Sequence, residues 1–123
     1  MLVDEYNRGW ALRYIREARA ELTSARNIPF MAQSLVAEAA KKALEAVYHS
    51  LGNPSSIRMI VGDIISEGVE PDDPLLRWLI DFERATREVA NIPSVSEAIR
   101  VAEELVEEAS EVVRILATSE EKE

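Results

Sequence analysis

Between Leu35 and Leu51 the apolar residues recur every three or four positions, and most are small: Val36, Ala40, Ala43, Val47 and Leu51 form one stripe, widened by Leu35, Ala39, Leu44 and Ala46. That interval matches the 3.6-residue turn of an α-helix. Side chains this small let a neighbouring helix approach closely, so the segment is expected in the middle of a helical bundle.

The same period governs the rest of the chain, and no segment alternates β-branched residues in the two-residue rhythm of a strand. A first helix is expected from about Asp4 to Ala25, with Ala11, Ile15, Ala18, Leu22 and Ala25 along one face and Trp10 and Tyr14 flanking it, until "RNIPF" breaks it. The second runs from about Phe30 to Leu51, where Gly52 is placed to take a left-handed conformation and Pro54 forbids continuation. A third, shorter helix should be capped by Ser55 or Ser56 and face Ile57, Ile60, Val61, Ile64 and Ile65 inward as far as Gly68. In "VEPDDP", Asp73 suits an N-cap and Pro74 a first helical position, because proline's missing N–H costs nothing there. The fourth helix then spans about Pro74 to Ala90, with Leu75, Leu79, Phe82 and Val89 inward. Ser94 and Glu97 have the spacing of a capping box ahead of the last helix. There Ala98, Ala102, Leu105, Ala109, Val112 and Leu116 trace a bundle or coiled-coil seam, with Glu103, Glu104, Glu107, Glu108 and Glu111 on other faces. The expectation is one all-α domain over residues 1–117 and an acidic, disordered tail over residues 118–123.

A chain of 123 residues removes roughly two thirds of its unfolded surface from water on folding, so it needs no covalent staple. It has no cysteine, which excludes a thiol nucleophile, a thiolate zinc site and an iron–sulfur cluster. Neither a metal nor a cofactor is expected. The first residues carry Asp4 and Glu5 where a signal peptide would be basic, and no apolar run reaches the ~20 residues of a membrane span. A soluble, cytoplasmic protein is expected. Net charge is −9; nine Glu against three basic residues place −6 of it within residues 97–123, leaving −3 for the other 96. Such a surface repels phosphate backbones over most of its area, which disfavours general nucleic-acid binding but leaves room for a local basic pocket. Abundant Glu and Arg with a single Gln also fit a thermophilic source.

The ordered set of helices resembles the HEPN family of small helical domains. The likeness rests on "REARAELTSARN", then "MAQSLVAEAAKKALEAVYHSLG", whose "AEAAKKALEAV" is similar to the family's A-x-x-A-x-K-A-L-K-A run, then "SIRMIVGDIISEG" and "SEAIRVAEELVEEASEVVRIL", across roughly residues 8–117. The resemblance implies a four- to five-helix up-and-down bundle, commonly a two-fold homodimer, often beside a small nucleotidyltransferase in toxin–antitoxin or defence pairs. Catalytic members carry an arginine followed four to six residues later by histidine, a metal-independent ribonuclease site. Here no histidine follows Arg84, Arg87 or Arg100 in that way. The segments "PSSIRM" and "TREVANIPS" also depart from the His-Ser and R-Y-P-D-like segments of other members. The resemblance thus favours a non-catalytic interaction module that pairs with a nucleotidyltransferase-type protein; a divergent ribonuclease is an alternative.

Three groups of residues are candidates for a site. Arg84 and Arg87 share a face of the fourth helix, and Arg100 joins them if the last helix folds back, giving guanidinium forks for a nucleotide or phosphate ligand; ordinary pairing with Glu83, Glu88 or Glu97 is the plainer expectation. His49 follows Glu45 by four residues, and Lys42 follows Glu38 by four. His49 is either a general acid–base held by Glu45 or a helix-end residue interacting with Glu45 and the dipole. Lys41 and Lys42 can likewise contact a nucleotide, but, 100° apart, they are expected to point in different directions and into solvent. Trp10, Tyr14 and Trp78 can stack on a base, although core or dimer packing is the simpler use. The acidic face of the last helix is read as solvated, with a basic partner as the alternative. Ser-His-Asp chemistry and a glycine-rich phosphate loop have no support in the pattern.

Overall fold

The computed structural model describes the backbone of residues 5–121 and the side chains of residues 5–117. It is an all-α bundle of five helices: α1 (Glu5–Asn27), α2 (Ala32–Ser50), α3 (Pro54–Glu67), α4 (Pro74–Glu88) and α5 (Val95–Glu121), with 3₁₀ turns at Pro29–Met31 and Val89–Asn91. No helix among the described residues is long and apolar enough to cross a membrane. The expected start at Asp4 lies outside the described residues, as do the side chains of the acidic tail from residue 118 and all of residues 122–123; the α5 backbone itself is helical through Glu121.

Each helix stops where its backbone runs out of partners or conformations. Ile28, ahead of Pro29, is forced out of the helical region (φ −127°, ψ 79°), which ends α1. Gly52 takes φ 96° and Gly68 φ 70°, a region that L side chains avoid. The Gly68 amide closes α3 by donating to the carbonyls of Ile64 and Ile65 at 3.1 and 3.2 Å. Asp73 caps α4 as expected, its Oδ1 accepting from the amide of Leu75 at 2.8 Å. The cap of α3 is a correction: it is Asn53, whose Oδ1 accepts from the Ser56 amide at 3.3 Å, and not Ser55 or Ser56. Pro54 occupies the first helical position, which moves the cap one residue before it. Only half of the capping box before α5 forms. Ser94 Oγ accepts from the Glu97 amide at 3.3 Å, while the Glu97 carboxylate turns to Arg100.

α2 is the central element and touches each of the other four helices. It has no single inward face: Val36, Ala39, Ala40, Ala43, Leu44, Ala46, Val47 and Tyr48 are all buried. On α1 the expected stripe of Ala11, Ile15, Ala18, Leu22 and Ala25 is buried residue for residue. With fully buried Val, Leu and Ile side chains contributing about 1.5–3 kcal/mol each and the alanine methyls less, these two helices carry much of the core. On α5 the seam holds through Ala98, Ala102, Leu105 and Ala109 but then passes through Val113, with Val106 also inside and Val112 only half-buried. A regular α-helix advances 3.6 residues per turn, so a seven-residue pattern drifts off the contact line unless the helices supercoil.

The thin side of the molecule is α3 and the start of α4. Val61 is the one fully buried residue of α3; Ile57, Ile64 and Ile65 are half-buried. Ile60 and Leu75, expected inside, are 45% and 48% exposed, and Met59 and Val69 are 66% and 57% exposed. α3 has the few residues of α2 and α4 to pack on, and one short helix cannot bury a stripe as wide as its own.

Candidate functional site

The described surface holds a cleft of about 470 Å³, with charged side chains in its wall, where α2, α3 and α4 meet. α2 contributes Ala37, Lys41, Leu44, Glu45 and Tyr48 to its wall; α3 contributes Arg58 and Gly62; α4 contributes Glu83, Thr86 and Arg87. Residues 41, 45 and 48 are successive helical neighbours, as are 58 with 62 and 83 with 87, so one ridge from each helix faces the same space. Gly62 keeps the wall low, since a Cβ there would meet nothing within 4 Å.

At the base of the cleft Tyr48 is fully buried and its hydroxyl donates to Glu83 Oε1 at 2.6 Å. The other Glu83 oxygen accepts from Arg87 Nε at 3.0 Å. Above them Arg58 contacts both carboxylate oxygens of Glu45, at 2.7 and 2.5 Å, and its guanidinium carbon lies 5.6 Å from the Tyr48 ring centroid. Burial first, and then the bond to Glu83, push the Tyr48 phenol far above the ordinary tyrosine range, so it stays protonated. Three cations, Lys41, Arg58 and Arg87, thus face two carboxylates in a protein that is acidic as a whole. Lys41 has no hydrogen-bond or ion-pair partner among the described residues. Chemically the cleft offers anion recognition: an oxyanion can take Lys41 and share Arg58 or Arg87 with their carboxylates.

No protein-family model matches this sequence, and neither a curated protein nor a solved structure matches it.

The residues singled out in the sequence are dispersed. Arg87 lines the cleft and pairs with Glu83; Arg84 does not line it and makes no ion pair among the described residues. Arg100 sits on the outer face of α5, tied to Glu97 at 3.0 Å and to Glu104. The three arginines do not converge. Glu45 turns to Arg58 and leaves His49, and Lys42 turns away from Glu38 to Glu17 of α1 at 3.1 Å and to Glu21. Glu21 has its second oxygen buried without a partner, and burial raises its carboxyl against the opposing pull of Lys42. Among the described residues no group of three or more His, Asp or Glu side chains converges to hold a metal ion.

His49 belongs to an aromatic corner at the ends of α1 and α2. Its ring centroid lies 5.4 Å from Tyr14 and 6.3 Å from Trp10, and Nδ1 is 3.0 Å from Asn7 Oδ1. Because Asn7 Nδ2 donates to the Gly52 carbonyl at 3.1 Å, the amide oxygen faces the histidine and Nδ1 carries the proton. Burial lowers the His49 pKa below 6.5, outweighing the opposite pull of Glu45, so the ring is neutral near pH 7. The unfolded chain then takes a proton below about pH 6.5 that the folded chain resists, and stability falls as pH drops through that range. Thermal melts at pH 8 and pH 5 test this: the wild type should lose more than His49→Phe, and parallel losses would refute it.

Trp78 packs on Phe82 with centroids 5.0 Å apart and donates its indole N–H to Glu108 at 2.5 Å. The acidic face of α5 is likewise partly used within the chain: Glu107 accepts from Arg19 of α1 at 3.2 Å, and Glu103 pairs with Arg26. Tyr48 and Arg58 were missed in the sequence, and Glu83 was read there only as a partner for the arginines. The signal for two of them was present: a tyrosine on the small-residue stripe needs a hydroxyl partner, and Glu83 shares the inward spacing of Leu79 and Phe82.

Proposed function

We propose that the protein is a non-catalytic, HEPN-like interaction module: an up-and-down bundle that forms a homodimer in the cytoplasm and works with a nucleotidyltransferase-type protein. The observation that carries this reading is the apolar surface of the α3–α4 hairpin, where Met59, Ile60, Val69 and Leu75 are each close to half exposed or more. Isolated apolar residues are common on any surface, but four on one thinly packed hairpin suit a face covered by another protein. The commitment of the cleft's acids agrees with a role outside catalysis. Both oxygens of Glu83 and both of Glu45 are held by Tyr48, Arg87 and Arg58, and a neutral buried phenol is a poor base. Light scattering should give twice the chain mass, and Met59→Glu/Ile60→Glu should yield a folded monomer that no longer retains a stoichiometric partner in a pull-down from native extract. A wild-type monomer that retains no partner would overturn the proposal.

The cleft favours a second reading, a nucleotide or phosphate ligand. It shifts the site from Arg84 and Arg100 to Lys41, Arg58 and Arg87. Millimolar ATP should raise the melting temperature of the wild type and of Arg84→Ala/Arg100→Ala alike, and should not raise that of Lys41→Ala/Arg87→Ala. No shift in the wild type would dismiss it.

A further inference from the structure

A second concavity, of about 390 Å³, lies between Arg8–Arg19 of α1 and the last described turns of α5, with Ser50 at the end of α2 also lining it, and it shares no lining residue with the α2–α3–α4 cleft. Its chemistry is divided. The floor is hydrocarbon: Ala11, Ile15 and Val113 are almost wholly buried, and Leu12 and Leu116 are partly open to solvent. The rim is cationic, with Arg8, Arg16, Arg19 and Arg114 lining it and no acidic residue among the lining side chains. In a protein of net charge −9 such a local excess is unusual. On α1 the residues Arg8, Leu12, Arg16 and Arg19 follow one another at intervals of four, four and three, so they form a single line along the helix, about 16 Å long at 1.5 Å per residue.

Like charges at such spacing repel one another. Arg19 is partly neutralised by Glu107 and Arg114 by Glu111. Arg16 has no ion-pair partner among the described residues and is exposed at the edge of the apolar floor.

We propose that this groove binds a single-chain fatty acid, with the alkyl chain along the floor of Ile15, Leu12 and Val113 and the carboxylate on Arg16. Guanidinium and carboxylate match as planar, two-pronged partners, and the apolar floor next to them removes an alkyl chain from water. The volume is that of a small-ligand pocket and is too small to admit a whole helix, which is about 10–12 Å across with its side chains. Charge selects the acid over a neutral lipid.

Calorimetric titration of the full chain with octanoate, decanoate and dodecanoate below their micelle concentrations, and with decanol below its solubility limit, tests this, with sedimentation run in parallel. The acids should bind one per chain, about fourfold tighter for each added methylene. Decanol should bind at least about tenfold more weakly than decanoate, the loss expected for a charged pair. Arg16→Glu and Leu12→Gln change exposed residues and should fold normally while each weakens decanoate by about tenfold. Failure of dodecanoate to saturate the wild type, equal binding of decanol, or undiminished binding by both variants would overturn the proposal. So would a dimer that dissociates in Arg16→Glu without any bound acid, which would give this face to a second copy of the chain.

Discussion

Ala43→Leu is expected to lower the melting temperature by up to about 10 °C, although it replaces one good helix former by another. Ala43 has no exposed surface and lies midway along α2, the helix that every other helix packs against. Its neighbours along the stripe, Ala39, Ala40, Ala46 and Val47, have none either. Small side chains have let the flanking backbones come close, and a larger one has nowhere to go unless a helix moves. Overpacking of this kind costs about 1–3 kcal/mol, and for a domain of this size each kcal/mol is worth roughly 3 °C. Ala20→Leu on the exposed face of α1 is the control, since it tests propensity without packing and should stay within about 0.5 kcal/mol of the wild type. Thermal melts of the two variants decide the matter. Equal shifts would mean that the core around α2 is loose, and that the alanines are there for helix propensity alone.

The alanines also explain why so much of the bundle was legible and the cleft was not. Period, capping chemistry and the two left-handed glycines are local properties, and they located all five helices to within a few residues. Which side chains meet across helices is set by helix rotation and crossing, which no short window of sequence encodes. Glu45 and His49 are ideal neighbours by spacing, yet Arg58, thirteen residues from Glu45, reaches that carboxylate, and Asn7, on another helix, reaches the imidazole. Glu83 and Arg87 are paired as the four-residue spacing suggests. The sequence could not say that Tyr48 lies beneath them. The misplacement of Ile60 and Leu75 has the same origin: both obey the inward spacing, but inward is defined by a neighbour, and α3 has too few.

The Tyr48–Glu83 pair should behave as a unit in a double-mutant cycle. Glu83→Leu leaves the Tyr48 hydroxyl in the core without an acceptor, and Tyr48→Phe leaves one Glu83 oxygen without its donor; each should cost about 1–3 kcal/mol. The double variant Tyr48→Phe/Glu83→Leu buries no orphaned group between these two positions, so it should be more stable than the sum of the single losses by about 1–3 kcal/mol. Urea unfolding of the four proteins measures this coupling, and additivity within about 0.5 kcal/mol would refute it. An alkaline limb follows from the same contact. The unfolded phenol releases its proton near pH 10 while the folded one holds it, so above that pH the unfolded state binds fewer protons and stability falls by about 1.4 kcal/mol per pH unit, a slope that Tyr48→Phe should remove. The double variant also bears on function. It takes away the carboxylate that holds Arg87 and leaves Lys41, Arg58 and Arg87 unsubstituted. If the cleft recognises oxyanions, the thermal shift with ATP should grow in that protein, because a competing internal anion is gone. If the pair serves only to fix α4 against α2, nucleotide should leave both the wild type and the double variant unmoved, and the cations of the cleft are then no more than partners for Glu45 and Glu83.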